Sequence, residues 1–85
     1  MQITTEELRE AAQQLLARAS DLRAALAQID NVLAPARSLN DPVVVKNIQQ
    51  WDTLKTNFYQ MIADAESAYK IIHKVLDSVD GVMMM

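Results

Sequence analysis

Two runs of apolar residues in alternating four-three spacing, separated by a proline-bearing break, constrain this chain more than any other feature. In the first run Leu8, Ala12, Leu15, Ala19, Leu22, Leu26, Ile29 and Leu33 follow the rule without exception. That period draws one stripe along an α-helix and is the seam of a coiled coil. In the second run Val44, Ile48, Trp51, Phe58, Ile62, Ala65, Tyr69, Ile72, Leu76 and Val79 follow it again, with only Lys55 interrupting. Val43 to Val45 alone would read as a strand. The longer period overrides that reading, and the stretch is expected to be helical.

Local signals place the ends. Thr4 and Glu7 have the spacing of a capping box. Pro35 cannot continue a helix and biases Ala34 away from helical angles, so the first helix is expected over about residues 5–34. Residues 35–41 form a short link of the kind that joins antiparallel helices. Asn40 or Asp41 serves as N-cap of the next helix, and Pro42 takes its first position, where a missing N–H costs nothing. The second helix is expected over about 42–80, with Gly81 as a left-handed stop and 81–85 as a tail. The fold class is therefore all-α, an antiparallel two-helix hairpin forming one domain over 1–85. Leu15, Leu22, Leu26 and Ile29 are expected to meet Ile48, Trp51, Phe58 and Ile62 along the intramolecular seam. Trp51 should pack over the link, while Lys55 either snorkels out of the seam or fixes its register.

The expected helices differ in length, roughly 45 Å against roughly 57 Å at 1.5 Å per residue. Folded symmetrically about residue 38, Tyr69 lies opposite Glu7 and Leu8, and beyond Ile72 no first helix remains to pack on. Yet the seam continues through Leu76 and Val79, and a second stripe at Leu54, Met61, Ala68, Val75 and Val82 flanks it. Burying a Leu or Val is worth about 1.5–3 kcal/mol, so five or six left in water forgo roughly 10 kcal/mol. Apolar surface of that kind marks an interaction site. Tyr69, Ile72, Val75, Leu76, Val79 and Val82 are accordingly expected to bind protein, by self-association or through a helical partner chain. Changing Leu76 and Val79 to Asp should then abolish binding and leave the helices intact. The terminal Met83 to Met85 fit either a soft docking surface or an unstructured end.

Composition narrows the chemistry. With 85 residues there is room for one small core, and a unit of this size often gains stability by oligomerising. The chain has no Cys, which removes disulfides, thiolate catalysis and the usual zinc clusters. A net charge of -3 without a basic run argues against nucleic acid. His73, the single histidine, has Glu66 and Asp77 within two turns but lacks a second nitrogen or sulfur ligand, so no metal site is expected. Asp64 and Glu66 diverge on a helix and do not share a proton, and the sole Gly rules out a phosphate-binding loop. No catalytic residue and no cofactor is expected. The opening MQITTEELRE is not an ordinary signal peptide, and no apolar run is long enough to span a bilayer.

The stretch NDPVVVKNIQ, residues 40–49, resembles the turn and second-helix start of type III secretion needle subunits. The likeness includes an aromatic near Phe58 and Tyr59 and, after an insertion of about one turn, resumes at YKIIHKVLDSV, so that it spans 39–79. The first proline of that family's turn is replaced here by Leu39 or lies too early, at Pro35. The resemblance implies helical polymerisation into a hollow export conduit, with the C-terminal helix lining the bore. It also implies a chain held unassembled in the cytoplasm by a chaperone, then exported through the apparatus itself to be secreted or surface-associated. LRAALAQI, LNDP and AESAYKIIH are also similar to the small needle co-chaperones of the same apparatus. ITTEELREAAQQL and WDTLK with LDSVDG resemble the WXG100 family of type VII secretion, although Leu39-Asn40-Asp41 replaces its Trp-x-Gly turn.

Overall fold

The computed structural model describes residues 4–83, and over that span the chain is the expected all-α antiparallel hairpin. Helix α1 runs Thr5–Leu33, a 3₁₀ segment covers Ala34–Ser38, and helix α2 runs Pro42–Met83. The molecule is a rod of 67 × 21 × 16 Å. Its radius of gyration of 19.3 Å far exceeds the roughly 12 Å of a compact chain this long.

Both helices start as their capping residues dictate. The Thr4 hydroxyl accepts from the Glu7 amide at 3.1 Å, and the Thr4 amide donates back to Glu7 Oε2 at 3.4 Å. For α2, Asp41 and not Asn40 is the cap: its Oδ1 accepts from the Val43 and Val44 amides at 2.9 and 3.1 Å. Pro42 is the first helical residue.

The link departs from expectation. Ala34 keeps helical angles, φ -50 and ψ -44, and Pro35 stands in the first turn of the 3₁₀ segment, where it owes no amide. The chain therefore does not reverse at Pro35. It runs on for five residues, about 10 Å at 2 Å per residue, beyond the roughly 43 Å of α1. Ser38 Oγ then donates to the Pro35 carbonyl at 2.8 Å, the Leu39 amide donates to the Ala36 carbonyl at 3.1 Å, and Leu39 turns extended.

This extension overturns the expected overhang. Arg9 pairs with Asp80 at 3.4 Å, whereas a chain folded about residue 38 would set Arg9 opposite residue 67. Leu76, expected to bind a partner, is instead 1% exposed and part of the hairpin's own interior. Leu76→Asp would thus put a carboxylate into the core, and it is no test of a free surface. Gly81 is a second correction. It does not stop the helix, no glycine among the described residues has positive φ, and α2 continues to Met83. The Arg9 contact to Asp80 anchors that last turn against α1. A Cβ at Gly81 would meet nothing within 4 Å, so no packing demands glycine there.

The core is thin. Ala12, Ala19 and Leu26 of α1 and Ile62 and Leu76 of α2 are buried. Ala19, Leu26 and Ile62 form one cluster, with Leu22, Trp51, Phe58, Tyr59 and Ala65 packed around it. Alanine on the contact line lets the two backbones approach closely, at the cost of little buried area. Leu76→Ala and Ile62→Ala are each expected to cost about 2–5 kcal/mol and to lower the melting temperature; an unchanged melting curve for Leu76→Ala would restore the overhang. Gly81→Ala is expected to add about 0.5–1 kcal/mol, whereas a loss would mean a left-handed Gly81.

Candidate interaction surface

At about 100° per residue, the helical positions sort into three strips along the hairpin. The buried line carries Ala12, Ala19, Leu26 and Leu33 on α1, and Ile48, Lys55, Ile62, Tyr69 and Leu76 on α2. Four residues after each of these comes a row turned to one side, and three residues after each comes a row turned to the other.

The first side is ionic. Arg9, Arg23 and Arg37 recur at two-heptad intervals on one strand of the hairpin, as do Asp52, Glu66 and Asp80 on the other. They pair in antiparallel order, Arg9 with Asp80, Arg23 with Glu66 and Arg37 with Asp52. The last is a two-pronged contact, Nη1 to Oδ2 at 3.0 Å and Nη2 to Oδ1 at 2.7 Å. Their shared two-heptad spacing is the sequence signal for this matching.

Near the link the ionic side gathers into a cluster. Asp30 accepts from Trp51 Nε1 at 3.0 Å and from Lys55 Nζ at 3.0 Å, and Lys55 also reaches Asp52 at 3.4 Å. Lys55 thus answers its seam position by pairing across to α1. The Trp51 and Lys55 hydrogen bonds hold the Asp30 carboxyl below its usual range. Arg37 pulls Asp52 down to about 2, and Asp30 chiefly raises Lys55. Trp51 lies over the link with Leu33, Ala36, Val44 and Ile48.

The second side is apolar. Leu15 and Leu22 of α1 line a shallow groove with Met61 and Ala65 of α2. The stripe flanking the seam stays uncovered: Leu54 is 55% exposed, Met61 59%, Val75 47% and Val82 70%, with Ala68 half-buried. On α1, Leu15, Ile29 and Val32 are exposed along the same side. Of the residues expected to bind a partner, Val75, Val79 and Val82 are exposed, Tyr69 and Ile72 are half-buried, and Leu76 is interior. Of the expected seam, Leu26 and Ile62 are buried and Leu22, Ile48, Trp51 and Phe58 half-buried, while Leu15 and Ile29 face outward. The contact line runs through the alanines, about 60° from the leucine row.

Other candidate chemistry is not assembled. His73 stacks edge-on against Tyr69, ring centres 4.7 Å apart. Asp64 accepts from Gln60 at 3.0 Å, and Glu66 belongs to Arg23. Among the described residues no group of three or more His, Asp or Glu is placed to hold a metal ion. No helix among them is long and apolar enough to cross a membrane. The Met84 and Met85 part of the tail lies outside the described residues. Comparison with protein-family models, curated proteins and solved structures returns no match.

The cluster at the link generates a pH prediction. Asp30 and Asp52 have folded values below their unfolded ones, so their contribution is complete above about pH 4 and is lost as pH falls toward 2. Thermal melts at low salt should therefore lose stability between pH 4 and pH 2, and Asp52→Asn should flatten that slope. Because these side chains are part-exposed, 1 M salt should shrink the effect. A slope identical in Asp52→Asn and the parent would contradict the assignment.

Proposed function

We propose that this chain is a non-enzymatic structural protein that assembles side by side with other helical chains in a bacterial secretion apparatus. One observation carries the assembly part. With α1 and α2 packed on each other from Arg9 and Asp80 to the link, an apolar strip still runs from Leu54 to Val82. A catalytic role would ask for a cleft with converging polar groups, whereas the polar side chains here pair with one another across the hairpin. The secretion part rests on the resemblance at NDPVVVKNIQ and YKIIHKVLDSV.

Within that apparatus the resemblance favours a needle-like subunit polymerising through α2, exported by the machine it builds. A specific observation favours a second reading, a small dimer of the WXG100 or co-chaperone kind. Leu76 and Asp80 are engaged by α1 itself, so the surface left over lies along the flank and not at a bare helix end.

Electron microscopy and sedimentation of the purified chain separate these readings. Filaments are the result expected of a needle subunit, and a discrete small oligomer that of the second reading. A chain that stays monomeric at hundreds of micromolar contradicts both.

A further inference from the structure

Resting on the assembly reading in its small-oligomer form, and not in its filament form, we infer that the apolar flank is the interface with a second copy of this chain. The two copies are related by a two-fold axis parallel to the helices, so that α2 of each lies over α1 of the other. The product is a four-helix bundle in which all neighbours are antiparallel, closed and unable to extend.

The extent of the flank fits a copy of itself. Leu15, Ile29, Leu54, Met61, Val75 and Val82 are all exposed on that side, each between 37% and 70%, and large apolar side chains left open in a contiguous strip mark an interaction site. On α2 the strip runs from Leu54 to Val82. It also covers both helices over most of their length, which suits a partner as long and narrow as this rod.

Charge selects the orientation. Arg18 is the one charged residue in the two α1 rows that make the flank, and the corresponding α2 rows have none. Arg18 borders the groove at the height of Ile62 and Ala65, and Asp64 stands at the outer edge of α2 between them. An axis along the rod preserves height and exchanges α1 for α2. It therefore brings Arg18 of each copy toward the partner's Asp64, a pairing that no single chain makes: within the hairpin Arg18 contacts Asp21 at 3.6 Å.

Sedimentation equilibrium of the full chain tests this, with circular dichroism alongside. The wild type should be a dimer. Met61→Glu with Val75→Glu, both outside the hairpin's core, should weaken dimerisation at least a hundredfold at unchanged helicity. Leu39→Glu with Val43→Glu, exposed at the link end, should leave it within about threefold. Arg18→Glu should weaken it about tenfold, and adding Asp64→Arg should restore it. Should the Met61 and Val75 variant lose helicity, a nitroxide on Asn57→Cys of one copy reads the contact directly. It should broaden the amides around Ile29 and Val32 of an isotope-labelled second copy. A monomeric wild type overturns both the interface and the assembly reading. A wild type that associates equally well with Met61 and Val75 changed overturns this interface alone, and a charge swap that restores nothing overturns the parallel axis.

Discussion

The register between the two helices, set by charge and not by oil, is what the rest of this structure depends on. By its period alone, an apolar seam that repeats every heptad can realign after a slip of seven residues. The ionic side cannot. In the observed register Arg9, Arg23 and Arg37 each meet a carboxylate. One heptad's slip in either direction leaves those arginines opposite Val45, Tyr59 or His73 in place of a carboxylate, and sets Asp30 against Asp52 or Glu66. Each exposed pair is worth only about 0–1 kcal/mol. Their number and the like-charge cost of the alternatives make them decisive for alignment while they add little to stability.

That alignment produces both faces of the molecule. It carries the start of α1 to the end of α2, burying Leu76 and pairing Arg9 with Asp80. It also draws nearly all the cross-helix charge to one side, so the other side is left apolar from Leu54 to Val82. The core between them is built largely on Ala12, Ala19, Leu26, Ile62 and Leu76, a small interior for 85 residues. A hairpin with so little buried area has much to gain from covering its flank, and the same geometry that explains the fold therefore motivates the assembly role.

Much of this is legible in the sequence. The four-three periodicity gives both helices, the Thr4–Glu7 box and the Asp41-Pro42 pair give their starts, and the stripe at Leu54, Met61, Val75 and Val82 remains outside the fold as its spacing implies. Pro35 misleads because proline ends an α-helix but opens a 3₁₀ turn, and five residues of continued helical course, about 10 Å, shift the opposite register by about two turns. Gly81 misleads because a glycine near a helix end marks a stop only where the chain has reason to leave the helix. Here Asp80 is tethered to α1 one residue before it. Leu15 and Ile29 belong to the periodic seam but lie off the contact line, since the close approach follows the alanines.

Interhelical nuclear Overhauser effects in the isolated chain test the register most directly. The account predicts contacts from the side chains of residues 8–12 to those of residues 76–80. Contacts from 8–12 to residues 64–68 instead, the alignment of a hairpin folded about residue 38, would contradict it.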